Sequence, residues 1–102
     1  METKPLLDKV AEIIQLYPQY AVEIDGHTDN VPINTHAFPS NWELSAARAT
    51  NVLKYFINVH GMNPTRFYVK GSADSRPIVP NDTHEHRAQN RRVEIRLKES
   101  ST

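Results

Sequence analysis

Asp29 and Arg48 carry the side chains best suited to hold a ligand. Asp29 lies in Gly26-His27-Thr28-Asp29-Asn30, on the turn after an alternating segment. Arg48 lies in Ser40-Asn41-Trp42-Glu43-Leu44-Ser45-Ala46-Ala47-Arg48-Ala49, in the second turn of a capped helix. The positions three and four residues either side of Arg48 are Leu44, Ser45, Asn51 and Val52, so the local helical ion pair is unavailable to it. Its charge must find a distant acid or a ligand. A free amino acid head group offers an ammonium for Asp29 and a planar carboxylate that Arg48 grips with two donors. The helix N-terminus adds free N–H groups for the same carboxylate. The plainer alternative is that Asp29 and Arg48 pair with each other, or that Asp29 caps its own turn.

Other chemistries find less support. His27-x-Asp29 with His84-x-His86 invites a metal, but residues i and i+2 on a helix do not share a face and no HExxH spacing occurs. No metal or cofactor is expected. There is no Gly-x-Ser-x-Gly elbow and no cysteine, and Ser45 has no evident His partner. Asp25 and Asp29 show no sign of working as a carboxylate pair. Gly26 and Gly71 are isolated strand-enders, not a phosphate loop. Arg87, Asn90, Arg91 and Arg92 form a basic cluster before the last strand, suited to a helix C-terminus. Those side chains can reach the ligand site only if the last strand lies beside the one ending at Gly26.

The elements that must position these groups are legible. Pro5 suits a first helical turn, and Leu6, Leu7, Val10, Ile13, Ile14 and Tyr17 recur at helical spacing until Pro18. Tyr20, Val22 and Ile24 alternate with Ala21, Glu23 and Asp25, the period of a strand covered on one side. A long loop spans 27–39, with Pro32, Asn34 and Pro39. Ser40 and Glu43 form a capping box, and Trp42, Ala46, Ala49, Leu53 and Phe56 make the buried stripe of the following helix, which stops at Gly61. Phe67 to Lys70 is a second strand ended by Gly71. A short polar helix is expected from about Asp82 to Asn90, capped by Asn81 or Asp82. Val93, Ile95 and Leu97 alternate with Glu94, Arg96 and Lys98 in a last strand. These elements imply an α+β two-layer sandwich, with helices packed on one face of a small mixed sheet.

The whole chain sets limits. Its 102 residues make one domain, with 38% hydrophobic and 24% charged residues. The formal net charge is zero at pH 7, so bulk electrostatics gives no reason to expect nucleic acid as a partner. No run is long or apolar enough to span a bilayer, and Met1-Glu2-Thr3-Lys4-Pro5 does not read as a signal peptide.

Gly26-His27-Thr28-Asp29, Leu44-Ser45-x-x-Arg48-Ala49 and Asn90-Arg91-Arg92-Val93-Glu94-Ile95 together resemble the OmpA-like peptidoglycan-binding domain, over nearly the whole of 1–102. Within that family, Asn30-Val31-Pro32-Ile33, the extended loop and Ser40-Asn41-Trp42-Glu43-Leu44-Ser45 look most like MotB-type flagellar stator proteins. The resemblance implies that Asp29 and Arg48 hold the diaminopimelate residue of the wall stem peptide. It also implies that Thr28, Asn30, Asn41, Leu44 and Ser45 line or shape the site, and that Arg92 lies near it, with Arg91 a weaker candidate. It implies binding without turnover, on the extracytoplasmic side of a bacterial cell membrane. The domain would anchor a single-pass, homodimeric stator subunit that works with a MotA-type partner. The family carries a first strand upstream of the first helix. This chain starts too late to contain it, so either a fragment lacking that strand and the membrane helix, with an open sheet edge, is expected, or the domain boundary differs here.

Three other readings stand beside this one. The chain could be the wall anchor of an OmpA/Pal-type envelope protein, a small metal-dependent hydrolase using His27, Asp29 and His84 or His86, or a dimerisation module in which Asp29 and Arg48 are structural.

Overall fold

The computed structural model describes residues 3–99. Its elements are α1 (Thr3–Leu16), β1 (Tyr20–Gly26), α2 (Asn41–His60), a 3-10 turn at Pro64–Arg66, β2 (Phe67–Gly71), α3 (His84–Asn90) and β3 (Val93–Glu99). The sheet runs β2-β1-β3, with β1 parallel to β2 and antiparallel to β3. The expected α+β architecture, with a mixed sheet and helices on one face, is the one observed.

Alternation explains the two faces. Val22 and Ile24 point to the helices and, with Ala11, Ile14, Ala49, Phe56 and Met62, form the core. Phe56 stacks on Phe67 with ring centroids 6.0 Å apart. The helix ends follow local chemistry. Ser40 caps α2 by accepting the Trp42 N–H, and its hydroxyl bonds the Glu43 carboxylate. Gly61 closes α2 at φ 64°, a left-handed conformation that glycine adopts at little cost.

Three details differ from the periodicity. Trp42 is 55% exposed, because α2 starts beyond the end of the sheet and its first turn has no strand beneath it. On α1 the small Ala11 and Ile14 make the close contact, leaving Leu6, Ile13 and Tyr17 exposed. The third helix starts at His84, not Asp82; Thr83 is its cap, accepting from the His86 N–H, while Asn81 is drawn into the Asn90 amide.

β3, one of the two edge strands, places the basic cluster. Val93 pairs with Gly26, so the residues before β3 emerge beside the turn that follows β1. Along the same edge runs an apolar groove of about 810 Å³ lined by Leu6, Leu7, Val10, Val52, Val93 and Ile95, with Arg48, Arg91 and Arg92 at its end. No helix of the described residues is long and apolar enough to cross a membrane.

Candidate functional site

Two glycines bring α2 onto the end of the sheet. Gly26 and Gly71 are register partners, and the backbone of Ser45 and Ala46 packs directly over them. A Cβ built on Gly26 would lie 2.0 Å from the Ser45 carbonyl oxygen, and one on Gly71 would lie 2.8 Å from the Ala46 nitrogen. This contact fixes α2, and Arg48 one turn further along it, against the turn that carries Asp29.

That turn is held from three sides. The His27 N–H donates to the Arg92 carbonyl and the Thr28 N–H to the Ala73 carbonyl. Ala73 sits at φ 51°, an uncommon position for a residue with a side chain, and its N–H donates to the buried Ser45 hydroxyl. Within the turn, Asp29 Oδ1 accepts the Val31 N–H at 3.0 Å and the Thr28 hydroxyl donates to the Asp29 carbonyl. Asn41 spans the loop by donating to the Val31 carbonyl at 3.1 Å.

The cleft so formed has a volume of about 400 Å³, and Thr28, Asp29, Asn41, Leu44 and Arg48 all line it. Asp29 and Arg48 share it without pairing. Asp29 Oδ2 instead accepts from Arg91 Nη1 at 2.6 Å. The guanidinium of Arg48 makes one long contact, 3.5 Å to the His27 carbonyl, and has no carboxylate partner among the described residues. A held carboxylate and an unpaired guanidinium facing one cleft is an arrangement that can clasp a zwitterion.

The remaining expected residues are placed differently. Asn30 is exposed and outside the lining; Ser45 stands behind the wall as a strut to Ala73. Arg92 turns away from Asp29 and donates to Glu94 Oε2 at 2.6 Å, so Arg91 takes the position beside Asp29. Arg87, one of the basic cluster that the sequence offers either as helix-end cations or as reaching the ligand site, lines the cleft together with His84.

The metal and hydrolase candidates do not assemble as the sequence offered them. The ring of His27 points to the opposite face of the sheet, 3.2 Å from Asp25 and 3.8 Å from Glu94, with both nitrogens lacking an aligned hydrogen-bond partner. Among the described residues, Asp25, His27 and Glu94 are the only such side chains grouped closely enough to share an ion. Both oxygens of Glu94 are already taken by the guanidiniums of Arg92 and Arg96, and Ser72 donates to Asp25 at 2.7 Å. The group therefore reads as part of an ion network on the outer face. Glu23, bonded to Lys98 and Arg96, extends it.

This network should make stability acid-sensitive. The Lys98 ammonium bonded to Glu23 holds that carboxyl below the usual range. Burial pushes Asp25 up, but the Ser72 hydroxyl, His27 and Arg96 bring it down overall. Burial also lowers His27, favouring its neutral form in the fold. All three groups bind protons more readily when unfolded, so their stabilisation is full above the unfolded values and lost as pH falls. The urea midpoint is expected to be flat above about pH 6.5, to decline as His27 becomes protonated, and to drop steeply below about pH 4. A midpoint that rises on acidification would contradict the network.

The chain and its fold have known relatives. Residues 1–91 match the OmpA family. The chain belongs to that family. The OmpA-family domain is 45% identical over 97 residues to the Bacillus subtilis protein YtxE, covering 95% of this chain and 40% of that protein. The chain thus spans about two fifths of that relative's length. It superposes on the crystal structure of the C-terminal domain of Helicobacter pylori MotB (residues 125–256) with a TM-score of 0.88 at 33% identity, covering 99% of this chain and 75% of that one. It also superposes on the structure of the cell wall anchor of the T6SS from Pseudomonas aeruginosa, with a TM-score of 0.85 at 39% identity, covering 97% and 68%.

Proposed function

We propose that this OmpA-family domain binds peptidoglycan without turnover, holding the diaminopimelate zwitterion of a stem peptide between Asp29 and Arg48. The observation that carries the reading is the unpaired guanidinium of Arg48 facing the cleft that contains Asp29. The ligand ammonium shares or displaces Arg91 at Asp29, and its carboxylate takes the free donors of Arg48. Thr28, Asn41 and Leu44 shape the walls, while Ser45 holds the turn from behind. Asn30 flanks Asp29 on the exposed side, and Arg92 acts from outside the cleft by keeping Glu94 in place.

In the longer parent this binding anchors a flagellar stator subunit to the wall on the extracytoplasmic side of the membrane. That subunit would be homodimeric and would work with a MotA-type partner. The apolar groove beside β3 offers an upstream strand of such a parent a place to pair. A second reading keeps wall anchoring but drops the flagellum, since the T6SS wall anchor is as similar to this chain as the MotB domain is.

The test is co-sedimentation with purified peptidoglycan sacculi in the presence of competitors. Wild type is expected to pellet with sacculi and to be released by free meso-diaminopimelate. Neutral propionamide, which has no zwitterion to offer, should release none. Failure to pellet, or release by both compounds alike, would remove the proposed head-group recognition.

A further inference from the structure

The cleft holds more positive charge than a zwitterion can use. Asp29 is its only carboxylate, and three guanidiniums, Arg48, Arg87 and Arg91, line it with that one acid. Arg91 already satisfies Asp29. Arg48 has no acid partner, and among the described residues Arg87 makes no ion pair either. The acid near the start of its own helix, Asp82, is bonded to His86 at 2.5 Å. The guanidiniums of Arg48 and Arg87 thus face the cleft without a carboxylate in ion-pair contact among the described residues.

Arg87 lies in the last turn of α3, where a cation complements the macrodipole, and its side chain also lines the cleft. Arg87 and Arg91 are one turn apart, and the Arg91 N–H donates to the Arg87 carbonyl, so their side chains leave α3 on one side. Like charges at this spacing repel. Asp29 relieves Arg91, whereas Arg87 feels Asp82 only at a distance and has no carboxylate within ion-pair reach among the described residues. A zwitterion leaves the excess unchanged, because it brings one charge of each sign. A ligand with one further carboxylate reduces it.

Resting on the wall-binding reading, we infer that Arg87 makes this a site for a stem peptide with a second free carboxylate, beyond that of the diaminopimelate head group. The head group occupies Asp29 and Arg48, and the additional carboxylate meets Arg87 at the α3 side of the cleft. The domain therefore discriminates between walls by carboxyl amidation, a neutral change that removes charge and leaves shape nearly intact. Arg87 is partly exposed, so the contribution is that of a screened pair and fades with salt.

The experiment is a calorimetric or NMR titration with two synthetic wall tripeptides that contain diaminopimelate. One has every carboxyl free; the other is amidated at every carboxyl except that of the head-group zwitterion. Wild type is expected to bind the free acid about three- to fivefold more tightly at low salt, and Arg87→Gln to bind both alike. Equal binding of the two peptides by wild type would overturn the inference and leave head-group recognition standing. A preference that survives in Arg87→Gln would overturn the assignment to Arg87. If wild type binds neither peptide, the wall-binding reading fails and takes this inference with it.

Discussion

Arg48→Ala is expected to abolish detectable sedimentation with sacculi while leaving the fold unchanged. The guanidinium does little for the fold: its one hydrogen bond among the described residues is 3.5 Å long, to the His27 carbonyl, and no described carboxylate pairs with it. Its removal should change stability by no more than about 0.5 kcal/mol. Its contribution to a bound carboxylate is larger, because charge-assisted hydrogen bonds are worth about 1.5–3 kcal/mol each. That corresponds to a loss of about ten- to a hundredfold in affinity. A single amino acid head group offers few contacts, so such a loss takes weak binding below detection. Circular dichroism and a urea titration on the same preparation check the fold. A folded Arg48→Ala protein that pellets as wild type does would refute the proposed site. Asp29→Ala is a less direct probe: it also strips Arg91 of its partner and the Val31 N–H of its acceptor.

The sheet and the long helix could be read from the chain because their signals are local. Alternation marked β1 and β3, and Ser40, Gly61 and Gly71 marked ends that the backbone respects. The pair Asp29 and Arg48 was legible as two groups lacking local explanations. Whether they paired with each other was not, since that depends on Arg91, which is 62 residues from Asp29 in sequence. A signal for Arg91 did exist. Counting back along β3 in steps of two, Arg92 falls in phase with Glu94 and Arg96 on the outer face, which leaves Arg91 toward the helices. Arg87 follows from Arg91 by one helical turn. The outer face was expected to be wet, yet Asp25 is fully buried there and Glu23 is 8% exposed. The cover is their own ion partners Arg96, Lys98 and Lys70, long side chains whose stems lie across the sheet, which no periodicity reveals.

Gly26→Ala is expected to be the most damaging single methyl group that can be added to this domain. The glycine is needed for space, not for an unusual backbone conformation. A Cβ there would meet the Ser45 carbonyl oxygen at 2.0 Å and its carbon at 2.9 Å. Both are main-chain atoms inside a 20-residue helix, so no side-chain rotation relieves the clash. The helix must lift from the end of the sheet. Ala49 and Phe56, both fully buried on α2, would lose contact with β1 and β2 as it does so. Overpacking usually costs 1–3 kcal/mol, and a rigid backbone obstacle belongs at or above the top of that range, about 3 kcal/mol or more. For a domain of this size that is a large share of total stability. The effect on the site is separable from the loss of fold. Lifting α2 pulls the Ser45 hydroxyl from the Ala73 N–H, and Ala73 in turn carries the Thr28 N–H that orients Asp29. Arg48 moves with the same helix. A urea titration reads the first effect. Sacculus binding at low temperature, where the surviving folded fraction dominates, reads the second. A Gly26→Ala protein with wild-type stability would show that α2 is not seated on Gly26. One that is destabilised but binds normally when folded would show that the helix contact does not set the distance between Asp29 and Arg48.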